Sequence, residues 1–224
     1  SDHVSFLALC SIPAASISAR GAPGTAYHSL YDDLAWYRRV VGEDYESARL
    51  IARITAVAVD RASTAPILPI DLGRPARALS RAARELLEAE PELFGPAGLE
   101  AVIGRAEEQA AAAEVLTDRL RAAARSGVLD DARCRLADEL LRGLERAWLI
   151  ESGLPGRPWY RNLYTAPDES SGYAAWPLPG LQKAAVEGDK RIAREQVEHL
   201  GAVLQRRSGC LGALRVLIET STER

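Results

Sequence analysis

The spacing of apolar residues constrains this chain more than any other feature. From Leu30 onward they return every three or four positions, the period that lines one face of an α-helix. In "ESARLIARITAVAVDRA" the period puts Leu50, Ile51, Ile54, Val57 and Ala58 on one face. Three prolines in "APILPIDLGRP" break the pattern, and a second helix is expected over about Ala76 to Glu90, stopped by Pro91. A long Ala/Glu/Arg helix should run from about Pro96 to Arg125. The next carries Leu136, Leu140, Leu141, Leu144 and Trp148, and the last runs from about Asp189 to Thr220. Helices of this length with apolar stripes bury them by packing together as a bundle. Ala-rich stretches such as "AEEQAAAAEVL" suit close helix approach and a plain surface face equally.

Two segments fall outside the pattern. Before Leu30 the chain reads as a short helix, Asp2 to Cys10, capped by Ser1 or Asp2. An apolar, β-prone run follows, Ile12 to Ala19, read as a buried strand, and then a Gly/Pro loop holding Tyr27 and His28. Helix, strand and loop in quick succession look like the end of an α/β domain. The other exception, Gly153 to Gly180, holds five prolines, four glycines, Trp159, Trp176 and three tyrosines. A loop this long inside a compact bundle is usually functional or disordered, and its aromatic content argues for packing over disorder.

Composition excludes several classes. The net charge of −3, with arginines spread among glutamates, gives no basic patch for nucleic acid. No apolar run reaches the roughly 18 residues of a membrane span. Three scattered cysteines, Cys10, Cys134 and Cys210, form neither a disulfide framework nor a metal motif and read as buried free thiols. The chain has no methionine and opens abruptly, so it is expected to be a piece of something longer.

Motif by motif, the residues carry little chemistry. No Glu-x-x-His pair, H-E-x-x-H, G-x-S-x-G or phosphate loop is present. His199, with Glu195 and Glu198 nearby, reads as a bundle residue, and Glu107-Glu108 as a solvated face. Asp2 and His3 are adjacent and would point apart on a helix. Asp32-Asp33 fit the first turn of a helix, where acids suit the dipole. His28, at the mouth of that helix, is either a capping or exposed imidazole or a ligand, and the residues alone favour the first.

Taken together, however, two segments resemble a known family. "GLPGRPWYRNLYTAPDESSGYAAWPLPGLQKA" is similar to the proline-aromatic loop of the transferrin-receptor-like dimerisation domain, the C-terminal part of the glutamate carboxypeptidase II family of zinc peptidases. The shared skeleton comprises Arg157, Pro158, Trp159, Tyr160, Arg161, Ala166, Pro167, Tyr173, Ala174, Pro179 and Gly180. "SDHVSFLALCSIPA" and "YHSLYDDLAWY" resemble the final stretch of that family's peptidase domain. The resemblance implies a mainly α fold, a helical dimerisation bundle preceded by a remnant of an α/β zinc-peptidase domain. It divides the chain into residues 1–45 for the remnant and 46–224 for the helical domain, with 153–180 a loop reaching toward the active site.

The same resemblance implies site roles. His28 would be a ligand of a two-zinc centre in the full-length parent, and Tyr27 would contact the oxyanion or substrate. Tyr173 would contact the C-terminal residue of a peptide substrate. Gly172 stands where glutamate-selective members carry a lysine, and Ser16 and Ser18 where they carry paired arginines, so a glutamate preference is not implied. The parent would be a carboxypeptidase- or dipeptidase-type exopeptidase holding two zincs per subunit and pairing through the helical domain as a homodimer. The fragment alone would be inactive and hold no tight zinc, with no nucleic-acid partner and no membrane segment. The alternative is a module of a zinc-less, transferrin-receptor-like binding protein.

Overall fold

A computed structural model describes residues 3–19 and 26–222. The described residues are mainly helical: α1 (Val4–Cys10), α2 (Leu34–Val41), α3 (Glu46–Thr64), α4 (Arg74–Ala89), α5 (Pro91–Phe94), α6 (Leu99–Arg125), α7 (Asp131–Arg146), α8 (Pro179–Glu187) and α9 (Lys190–Thr222). Two three-residue strands, β1 (Thr165–Pro167) and β2 (Ala175–Pro177), pair antiparallel with Ala166 opposite Trp176. By contact, residues 15–65 make one unit and the other described residues a second.

In the larger unit, α6 and α9 are the long axes. Around one end, α4, α5, α8 and the proline-aromatic loop close over Phe94, Leu99, Trp148, Leu163, Leu181 and Leu200. Around the other, α7 completes a core of Leu120, Leu141, Leu144, Leu214 and Ile218. Ala76 and Ala83 of α4 and Ala106 and Ala113 of α6 are fully buried, so the alanine stripes serve close helix packing. Ala111 and Ala112 on the opposite face of α6 are exposed. Across the same helix pair Glu107 takes an ion pair from Arg84, so this acid is a partner as well as a solvated group.

A buried arginine ties the two ends together. Arg207 of α9 is 1% exposed. It donates from Nη1 to the Leu144 carbonyl at 2.8 Å, from Nη2 to the Leu72 carbonyl at 3.2 Å and from Nε to Gln109 Oε1 at 3.2 Å. The guanidinium also lies over the Trp148 ring, 5.1 Å from its centroid. Leu144 sits in the last turn of α7, whose carbonyls lack helical partners, so the cation satisfies groups the helix leaves open. Burial lowers its affinity for a proton, and the nearby Glu145 opposes that.

The unit of residues 15–65 is built differently. Asp33 caps α2 by accepting from the Trp36 N–H at 2.7 Å, the place the sequence assigns to first-turn acids. Tyr37 and Tyr45 stack 5.6 Å apart, and Arg38 Nε donates to the Tyr45 hydroxyl at 2.7 Å. The apolar face of α3 forms as the period requires, but no residue of α3 is buried.

Two expectations fail. Ile12 to Ala19 is exposed irregular backbone, not a buried strand. A strand needs a neighbour for its N–H and C=O groups, and the described strands, β1 and β2, pair with each other. Cys134 is buried and Cys210 half-buried, but Cys10 is exposed near the end of α1; all three are free thiols. The cap expected at Ser1 or Asp2 lies outside the described residues.

Candidate functional site

The proline-aromatic loop is anchored by one asparagine. Asn162 is 1% exposed. Its Oδ1 accepts from the N–H groups of Tyr164 at 2.8 Å and Thr165 at 3.2 Å, fixing the entry to β1. Its Nδ2 donates to the Leu7 carbonyl at 3.1 Å and to Ser11 Oγ at 3.0 Å, at the C-terminal end of α1. The N–H groups of Arg161 and Asn162 both reach the Ala8 carbonyl, at 2.9 and 3.1 Å. Ser11 hands its hydroxyl on to the Glu145 carbonyl at 2.7 Å. Helix α1, the end of α7 and the β1–β2 hairpin are thus locked to one another by a single polar knot.

The hairpin tip has its own clamp. Asp168 accepts from the Ser171 N–H and Oγ–H, each at 2.8 Å, and from the Ala174 N–H at 3.1 Å. Its own N–H donates to the Ala174 carbonyl at 2.8 Å. These donors, the Ser171 backbone and hydroxyl foremost, hold the Asp168 carboxyl below the usual carboxylate range. At the apex Gly172 has φ +70°, the left-handed region that favours glycine, and a Cβ there would meet open space. Tyr173 beside it is 72% exposed.

Between α1 and this hairpin lies a recess of about 70 Å³. Val4, Leu7 and Ala8 form one wall, and Ala166 and Pro167 the other. Gly172 and Tyr173 line it from the tip, and His3 also lines it. Below the hairpin, Arg157 Nη1 donates to the Pro167 carbonyl at 2.6 Å, and its Nε faces Glu169 at 3.4 Å. Lys183 also pairs with Glu169, at 2.9 Å, and with Glu187, at 3.0 Å. The Arg157 guanidinium lies between the Tyr160 and Trp176 rings, 5.4 and 5.9 Å from their centroids.

Tyr27 and His28 belong to the other unit. Their rings stack with centroids 3.8 Å apart and 20° between planes, and His28 takes φ 62° in an exposed turn. The turn is closed by the Ser29 hydroxyl on the Ala26 carbonyl at 2.6 Å. Ser16 and Ser18 lie in exposed irregular backbone. His28 alone does not fit a zinc ion, which takes three or four protein ligands, and among the described residues no three His, Cys, Asp or Glu side chains gather. His199 is half-buried on α9, its Nδ1 3.5 Å from Gln196 Nε2.

Sequence reasoning singled out Gly172 and Tyr173, which line this recess, and did not reach the α1 wall, Asn162 or Asp168. Asp168 had a readable signal: an aspartate three before a serine and four before a glycine, after Pro167, is the chemistry of a side-chain-closed turn. Asn162 was legible only in part: its bonds to Tyr164 and Thr165 are local, but the Nδ2 partners that make it an anchor lie 151 and 155 residues away.

A helical bundle with a buttressed hairpin loop on one flank is the class these features define. Residues 98–211, half of the chain, match the transferrin receptor-like dimerisation domain, and the chain belongs to that family. Likeness to whole proteins extends beyond that segment. A probable glutamate carboxypeptidase of Arabidopsis thaliana is 28% identical over 204 residues, covering 89% of this chain. An inactive zinc metalloprotease of Schizosaccharomyces pombe is 24% identical over 92% of it. A probable glutamate carboxypeptidase of Arthroderma benhamiae is 26% identical over 42% of this chain and 13% of its own length. The chain spans only 28% and 27% of the first two relatives.

Proposed function

We propose that this chain is the C-terminal dimerisation region of a two-zinc exopeptidase of the carboxypeptidase or dipeptidase type. On this reading residues 1–45 end the catalytic domain and 46–224 form the helical domain that pairs two copies. The observation that carries it is the likeness to a probable glutamate carboxypeptidase over 89% of the chain, well past the matched dimerisation segment. Zinc in the parent would be held by His28 together with ligands from the catalytic region and would supply Lewis-acid chemistry there. This chain's own contributions are recognition and positioning. The Tyr27 phenol donates a hydrogen bond to the substrate oxygen that gains charge, and Tyr173 seats the substrate's C-terminal residue. The hairpin clamp around Asp168 keeps Tyr173 in place during binding. The 224 residues alone hydrolyse no peptide.

A second reading draws on the relative described as an inactive zinc metalloprotease, which covers even more of this chain. There the parent keeps the architecture without zinc and acts as a binding protein. Metal analysis of the full-length protein, with release of the C-terminal residue from blocked dipeptides, separates the two. Two zincs per subunit with hydrolysis support the peptidase; a folded dimer with neither supports the binding protein.

A further inference from the structure

The recess beside Tyr173 has a chemical character of its own. Its walls are the aliphatic groups of Val4, Leu7, Ala8, Ala166 and Pro167, with His3 as a polar edge. A cavity of about 150 Å³ admits benzene, so about 70 Å³ holds roughly three carbon atoms. Asp168 and Glu169 sit at the tip, and the cations beneath it, Arg157 and Lys183, are both engaged with Glu169. Gly172, beside the tyrosine, brings no charge.

We infer that this recess receives the side chain of a small apolar residue, of about valine size, at the C-terminal end of the parent's peptide substrate. The assignment rests on the reading that Tyr173 seats that residue. The ligand's side chain leaves water for an aliphatic pocket, while an acidic side chain would lose hydration there that the aliphatic walls do not replace. A ring the size of phenylalanine exceeds the volume. The pocket discriminates by size against large residues and by the cost of desolvation against acidic ones, and the two effects are separable by substitution.

The test uses the full-length protein and N-acetyl-alanyl dipeptides ending in Ala, Val, Leu, Phe or Glu. The expected kcat/KM for Val and Ala exceeds that for Phe and Glu by about tenfold or more, the scale of pocket discrimination between side chains. Leu7→Ala, which widens the wall, should move the optimum toward Leu and Phe. Gly172→Lys should raise Glu relative to Val. A Glu-terminated peptide as the best substrate overturns the inference and leaves the peptidase reading standing. Binding of N-acetylvaline and N-acetylglutamate, measured by calorimetry, covers a protein that hydrolyses nothing. Tighter binding of N-acetylvaline, lost in Leu7→Trp, upholds the recess while the peptidase reading falls. No binding of N-acetylvaline overturns the recess as well.

Discussion

Asn162 offers the sharpest test of how the site is held together. Replacing it with alanine removes four hydrogen bonds, two from the Tyr164 and Thr165 N–H groups and two to Leu7 and Ser11. An orphaned buried polar group costs about 1–3 kcal/mol. Leu7, Tyr164 and Thr165 are only half-buried, so water reaches part of the vacated space and the lower end applies. The Leu7 carbonyl still accepts from the Ser11 N–H and the Ser11 hydroxyl still reaches the Glu145 carbonyl, so the Tyr164 and Thr165 N–H groups are the ones left without a partner and the expected loss is about 2 kcal/mol. For a chain of this size that is about 6 °C in Tm. The two backbone bonds to the Ala8 carbonyl survive the substitution, so α1 should loosen without leaving. Guanidinium unfolding gives the global figure, and amide exchange over α1 gives the local one. A loss below about 1 kcal/mol, or α1 amides that exchange as in the parent sequence, would refute the view that Asn162 is the knot.

Other substitutions probe the rest of the molecule. Arg207→Met leaves the Leu144 and Leu72 carbonyls and Gln109 Oε1 without their donor and should cost about 3 kcal/mol even though a buried charge is removed; denaturant unfolding checks it, and a neutral effect counts against the cation's structural role. At Glu145, burial raises the carboxyl's affinity for a proton and outweighs the pull of Arg207. Its ionisation therefore opposes folding at neutral pH, so Glu145→Gln should be more stable than the parent there, with the gain shrinking as pH falls through the carboxyl's titration in the folded state. A gain that grows on acidification contradicts this. Gly180→Ala would place a methyl 2.0 Å from Gln196 Oε1 and should cost about 1–3 kcal/mol, much of it recovered in the double variant with Gln196→Ala; additive losses in the double-mutant cycle would show that the two side chains do not meet.

The helices were legible because their signal is local. Periodicity placed α4, α6 and the start of α9 within a few residues and found the stripe of α7, since each buries one stripe. What the period did not carry was which stripes find a partner. The α3 stripe and the α4 stripe look alike in sequence, yet only α4 is buried. The run Ile12 to Ala19 failed for the same reason: an apolar β-prone segment reads as a strand whether or not another strand lies beside it. At the site, Gly172 and Tyr173 were reached only through family resemblance, and their setting depends on contacts that no sequence window contains. Asn162 and Arg207 are polar residues in a helical chain whose roles arise from carbonyls 63 to 155 residues distant.

The attachment of α1 has a consequence for how the protein is made. Its polar anchors, Asn162 and Glu145, follow Leu7 and Ser11 by 155 and 134 residues. At ribosomal rates of about 5–20 residues per second, α1 emerges roughly 8–30 s before the asparagine that receives it. During that interval the hairpin and α7 groups that hold this helix are not yet made, and seven residues have too few turns to persist alone. Ala8, 2% exposed in the folded chain, is uncovered until then. The recess is thus a late-closing feature, assembled after the α4–α6 core has had time to form.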